Sequence, residues 1–351
     1  MNNKKNIKFN FKIIILAFAL LIFTCCSCNF QSKTVLPSWE NNSQNKQEII
    51  NYVKDVTDKK SADFVPVEDR IAVFDADGTY YCEKTDFVPN YFARFVADYR
   101  LKNDPSFTPS SELKASIDDG FLRQEQQLEI LYSMTNDQIY NLAEEFKNTP
   151  QPCFNNLTFG EAFYKPMLEL INYLQENNFT VYVVSGTDQD VLRGMANGVL
   201  NIPKNQLCGS EIFMSKEGAD QLPRNEYNIE QNDKVGRTQN FIANDKFEKV
   251  DTIHNVIGKR PIFAAGNSSG DFSMLNYTMA NPNYKPFTLM VSHDDDQREF
   301  VYPKGDKLNE IQQAIDTNGY HKVSMKDEFK TIFKDGVTKK APGEYRVYQE
   351  D

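Results

Sequence analysis

Cysteine, tryptophan and histidine are scarce in this 351-residue chain, at six, one and three residues. Beyond Cys28 only Cys82, Cys153 and Cys208 remain, an odd set without CxxC spacing. That excludes complete internal pairing and gives no thiolate zinc site, so small buried hydrophobes are the expected role. Glycine and proline total 31 residues, too few for a collagenous or low-complexity chain. Basic charge is also short: 39 Lys and Arg stand against 49 Asp and Glu, for a net charge of −10 and a pI near 5.0. Polyanion binding draws on a Lys/Arg surface, and no compact basic run follows the first dozen positions, so nucleic acid is excluded as a partner. An anionic small molecule would need a metal ion or a few placed cations to reverse the field locally.

What remains is an ordinary folding composition, 40% hydrophobic and 13% aromatic, long enough for one large domain or two. At the N-terminus Lys4, Lys5, Lys8 and Lys12 precede the apolar run Ile13 to Phe23, which falls short of the ~20 residues that span a bilayer. This is a signal-peptide pattern over residues 1–28. Ser27-Cys28 resembles a bacterial lipoprotein cleavage box, which implies lipidation of Cys28, with Cys25 and Cys26 as rivals. Removing residues 1–27 deletes four lysines and leaves 35 basic against 49 acidic residues, or −14. The expectation is an exported protein, membrane-anchored and facing the periplasm or cell exterior. Asn-, Gln- and Ser-rich residues 29–47 then suit a flexible tether.

A helix is expected from about Gln47 to Thr57, then a buried strand at Ile71 to Phe74. Residues 81–159 carry apolar positions at helical spacing and read as a helical insertion. Thereafter helices and apolar strands alternate: helix 166–177, strand Thr180 to Val184, helix 188–197, helix Lys246 to Ile257, and strands Ile262 to Ala265 and Phe287 to Val291. Such alternation predicts an α/β fold, a Rossmann-like parallel sheet with helices on both faces, built from residues 48–80 and 160–351. Polar residues ending several strands would then converge, because ligands in open α/β sheets sit beyond the carboxyl ends of the strands.

Asp75-Ala76-Asp77-Gly78-Thr79 puts two carboxylates just past the first strand. A calcium loop is one reading, although Tyr80 and Thr79 depart from its pattern, and an Asx turn is another. Further along come Ser185 after the strand Val181 to Val184, Lys249 near a helix start, and Gly266-Asn267-Ser268-Ser269-Gly270-Asp271 after an apolar strand. In order and spacing these four pieces resemble the motifs of the haloacid dehalogenase (HAD) superfamily, over residues 70 to about 295, and in particular its phosphoserine-phosphatase-like branch. The resemblance implies a helical cap over 81–159 and a Mg²⁺-dependent phosphomonoester hydrolase acting on a small phosphorylated metabolite. Asp75 would be the nucleophile that forms an aspartyl-phosphate, and Asp77 the acid and base. Thr79, Ser185 and Lys249 would bind phosphate, with Lys234 and Lys246 as rivals for the lysine. Asp75, Asp77, Asn267 and Asp271 would bind the metal, and Asn267 departs from the usual Asp.

The substrate would be a phosphoserine- or phosphorylcholine-type ester. Glu83 is placed to hold an amine, Arg94 or Arg123 a carboxylate, and Tyr81 beside Tyr80 a quaternary ammonium, unless both tyrosines merely pack. His254, His293 and His321 are scattered and read as structural, with His293-Asp294-Asp295-Asp296 a supporting or surface feature. Rival readings are a dehalogenase, which needs no acid at position 77, and a non-catalytic binding lipoprotein on the same fold.

Overall fold

The computed structural model describes residues 34–119, 122–219 and 222–347. The expected signal peptide and the expected lipidation site Cys28, with its rivals, lie outside the described residues. Residues Leu36–Asp351 form one compact unit. Helix α1 (Gln44–Thr57) opens it, capped by the Ser43 hydroxyl, and leads to β1 (Ile71–Phe74). Four helices follow, α2 (Val88–Asn103), α3 (Ser111–Asp119), α4 (Gln124–Leu131) and α5 (Asn136–Phe146). After β2 (Phe154–Asn155) come α6 (Lys165–Glu176), β3 (Thr180–Asp188) and α7 (Gln189–Ala196). Strands β4 (Leu207–Lys216) and β5 (Val235–Ile242) then pair antiparallel. The chain continues through α8 (Glu248–Thr252), β6 (Phe263–Gly266), α9 (Phe272–Met279), β7 (Phe287–Asp294) and β8 (Val301–Tyr302). It closes with α10 (Gly305–Asn318), β9 (His321–Ser324), α11 (Met325–Glu328) and β10 (Thr338–Lys339).

The sheet runs β5-β4-β3-β1-β6-β7, with β8 and β9 both on the far side of β7. All neighbours from β4 to β7, and β7 with β9, are parallel; β5 and β8 run antiparallel. This is the α/β sheet that the alternating pattern predicts. Strands β1 and β6 are buried along their whole length, as the unbroken apolar runs of a covered parallel sheet require. Phe74 stacks on Phe263, ring centroids 5.7 Å apart.

Three expectations change. The stretch 29–47 is not a tether from Leu36 onward, because Trp39 is wholly buried, packs edge-on to Phe329 at 5.0 Å and donates its indole N–H to the Pro166 carbonyl. An indole needs both an apolar pocket and one acceptor, and this pocket supplies both. The helix over 246–257 is α-helical only from Glu248 to Thr252 and turns π-helical through Ile257, where Gly258 ends it in a left-handed conformation. Strand β3 extends past Val184 through Ser185, Gly186 and Thr187.

Candidate active site

Register places the acidic pair. The Asp75 N–H donates to the Ala265 carbonyl at 2.9 Å, so the first residue beyond β1 lies beside the end of β6. The chain then turns sharply. Gly78 has φ +74°, and a Cβ there would lie 1.9 Å from Asn267 Nδ2, so a left-handed turn and a close approach both require glycine. Gly266 is fixed likewise, since its Cβ would meet that of Asp271 at 2.5 Å.

Lys249 links the two turns. Its ammonium, buried at 2% exposure, donates to Asp75 Oδ1 and Asp271 Oδ1, both at 2.6 Å. Burial alone would lower its pKa, but Asp271 and Asp75 lift it above the usual lysine range. Asp75 is pushed well up, first by burial and then by the charge of Asp271, against the pull of Lys249. Burial also raises Asp77, while the Thr187 hydroxyl, which donates to Asp77 Oδ2, opposes the shift. The rival lysines do not reach this point. Lys246 is exposed, and Lys234 is exposed and paired loosely with Glu217 at 3.9 Å.

Asp271 differs from its expected role as a metal ligand. Its Oδ1 is engaged by Lys249 and its Oδ2 by the N–H groups of Asn267 and Ser268, at 2.9 and 3.0 Å. The carboxylate therefore braces the 266–271 turn and the lysine. Thr79 is wholly buried and outside the cavity lining; its hydroxyl faces Asp75 Oδ2 at 3.4 Å and Asn267 Oδ1 at 3.3 Å. Those two oxygens, converging on one hydroxyl, fit a hard cation that keeps several waters, as magnesium does. Among the described residues no group of three or more His, Cys, Asp or Glu is arranged to hold a metal. An ion here would rest on Asp75, the Asn267 amide oxygen and main-chain or water oxygens.

Above this floor lies a cavity of about 580 Å³. Asp75, Asp77, Ser185 and Lys249 line its base, α2 and α4 form one wall, and β4 and β5 form another. Ser185 is buried, and its Oγ accepts the Thr187 N–H at 3.1 Å. Glu83 also lines the cavity, accepting from Asn267 Nδ2 at 3.3 Å, and burial pushes it up to about 7.

The other substrate candidates face elsewhere. Arg94 is ion-paired with Asp86 at 2.6 Å and lies over the Tyr91 ring; Arg123 is largely exposed, 3.7 Å from Glu112. Neither lines the cavity. Tyr81 packs edge-on to Phe163 at 4.7 Å and donates to the Phe159 carbonyl, while Tyr80 stacks on the same ring at 6.0 Å. Both tyrosines are packing residues.

Two features lie beyond what the sequence indicated. His293 is structural, as expected, but its partners are distant: it is buried, with Nε2 2.7 Å from the Gly78 carbonyl and Nδ1 3.3 Å from Glu299 Oε2. The Tyr302 hydroxyl also lies 3.1 Å from Nε2, so the ring ties the Gly78 turn to Glu299 and Tyr302. Glu299, itself wholly buried, also accepts from Tyr164 at 3.0 Å and the Cys82 thiol at 3.2 Å. The second feature is Arg237 on β5, 2% exposed, which grips Asp188 and Asp190 at the start of α7. It fastens the β4–β5 hairpin to the wall behind Ser185.

No family model matches the sequence, and no curated protein matches it. Among solved structures the chain is similar to a conserved protein of unknown function from Anaerococcus prevotii, at 15% identity and a TM-score of 0.51 over 80% of this chain and 91% of that one. It is less similar to a phosphoserine phosphohydrolase-like protein from Francisella tularensis, at 14% identity and TM-score 0.34 over 63% and 87% of the two chains. A cytosolic 5′-nucleotidase IIIB bound to cytidine gives 13% identity and TM-score 0.38 over 78% and 83%. Likenesses this weak do not bear on function. The first one is a likeness of fold, an α/β sheet of mostly parallel strands.

Proposed function

We propose that the protein is a magnesium-dependent phosphomonoester hydrolase of HAD type, related to the phosphoserine-phosphatase-like branch, acting through an aspartyl-phosphate on a small phosphorylated metabolite. One observation carries the reading: Asp75 and Asp77 at one strand tip open into a cavity whose base also holds a buried lysine bonded to Asp75. A phosphate monoester bears roughly two negative charges near neutral pH, so an attacking carboxylate needs cations beside it. Lys249 is one, and a magnesium ion on Asp75 and Asn267 would supply the second by neutralising phosphoryl charge.

Asp75 attacks phosphorus, forming the acyl-phosphate bond as the ester oxygen departs. Asp77, whose protonated form burial favours, gives a proton to that oxygen and then takes one from the water that hydrolyses the intermediate. Lys249 and the Ser185 hydroxyl hold the equatorial oxygens as charge redistributes. Assay of residues 29–351 on an aryl phosphate tests this. Turnover should require Mg²⁺ and vanish in Asp75→Asn. A folded protein inactive on a broad ester panel would instead favour a non-catalytic binding role. Export and anchoring through Cys28 form part of the proposal, supported by the pattern of residues 1–28; fatty-acid labelling lost in Cys28→Ser checks them.

A further inference from the structure

The cavity is much larger than an amino-acid ester fills; about 580 Å³ is well within the ~300–1,000 Å³ range of pockets that bury drug-sized ligands. Its charged groups are almost all spoken for. Asp75 and Lys249 hold each other at the floor, Asp77 is bonded by Thr187, and Asp188 is neutralised by Arg237. Glu83 already accepts from Asn267 and from the Tyr302 hydroxyl. Asp245 and the exposed Lys246 are also in the lining, in which no arginine or histidine takes part among the described residues. The walls are instead apolar: Phe87, Leu128 and Leu131 on one side face Ile212 and Phe241 on the other. The neutral polar side chains of Asn90, Gln124, Gln127 and Ser210 lie among them, Gln127 donating to Asn90.

We infer that the site takes phosphomonoesters of a bulky, uncharged, largely apolar alcohol, held between the α4 face at Leu128 and the β5 face at Phe241. This rests on the phosphohydrolase reading and narrows it. A carboxylate or second phosphate on the alcohol would lose its hydration against the apolar walls, where no guanidinium replaces it and the ammonium of Lys246 stays in solvent. An alkylammonium would leave the apolar walls empty. An aromatic or branched aliphatic body displaces water from both walls at once, and each roughly 60 Å² of apolar contact corresponds to about a tenfold gain in affinity.

The test is calorimetric binding of 1-naphthyl phosphate, phosphoserine and phosphoethanolamine to the Asp75→Asn protein in Mg²⁺, beside steady-state kinetics of the unsubstituted chain. The naphthyl ester should bind at least tenfold more tightly than either small ester. Phe241→Ser and Leu128→Ser, both at half-buried positions, should each raise its KM relative to that of phosphoethanolamine about tenfold. If either small ester binds as tightly as the naphthyl ester, or if both variants leave the KM ratio unchanged, the assignment is wrong. Preferential naphthyl binding without turnover of any ester by the unsubstituted chain would sink the hydrolase reading and leave the cavity assignment standing.

Discussion

Replacing Lys249 by Met keeps the shape of the side chain and removes the one cation between two buried carboxylates. Asp75 and Asp271 then carry two negative charges that nothing among their bonded partners neutralises. Removing one partner of a buried charge pair costs about 3–5 kcal/mol. At roughly 2 °C per kcal/mol for a body this large, thermal unfolding at pH 7.5 should come about 6–10 °C below the unsubstituted protein. The sign of the pH dependence is fixed by Asp75, whose folded-state pKa already lies well above the unfolded carboxylate value. An acid raised on folding stabilises below its unfolded pKa and loses that contribution as pH rises through the folded one. Without Lys249, which opposes the shift, Asp75 is raised further, so the gap between variant and parent should shrink as pH falls from 7.5 to 5. Scanning calorimetry in EDTA at both pH values measures it. A gap that is constant or wider at pH 5 would refute the bridging role. Adding Mg²⁺ at pH 7.5 should stabilise the variant more than the parent, because the ion restores positive charge beside Asp75.

Gly78→Ala should fold less stably by about 1–2 kcal/mol from the left-handed backbone alone, with further loss as Asn267 is displaced; denaturant titration gives the first and Mg²⁺-dependent turnover, lowered at least tenfold, the second. His293→Ala should cost about 1–3 kcal/mol by leaving the buried Gly78 carbonyl and Glu299 Oε2 without a partner, and Glu299→Gln in that background should cost less than Glu299→Gln alone. Fully additive losses in the double variant would argue against the coupling. Arg237→Met should loosen the β4–β5 hairpin, read as faster amide exchange over 207–216 and 235–242 with the β1 and β6 amides still protected.

The parallel core was legible because its strands are short apolar runs, each ending in a polar turn. Ile71 to Phe74 has no polar residue to hide, so burial on both faces is the only comfortable outcome. The hairpin was not legible. Gly209, Ser210, Glu211 and Ser215 interrupt β4, and β5 is Gly-Arg-Thr-Gln-Asn through its middle, so neither strand carries an apolar rhythm. Their pairing is set by tertiary contacts, the Arg237 grip among them. The floor of the site was readable from residue types and order, since Asp75, Asp77, Ser185 and Lys249 all line one cavity. Orientation was not. Arg94 looks available in sequence until Asp86, eight residues earlier, claims it, and nothing local to His293 announces a partner 215 positions away at Gly78. Thr79 and Asp271 likewise have the expected positions but spend their polar atoms on neighbouring side chains and amides.

The floor comes from strand tips and the turns beside them, whereas the walls come from two excursions, one leaving after β1 and one running from β4 into β5. On the proposed function, bond-breaking machinery and molecular taste are encoded in separate stretches of chain. Drift in the excursions can retune which alcohol is accepted without disturbing the acids beneath. A graft meant to carry the preference into another scaffold must move both walls together, since each supplies only half of the grip.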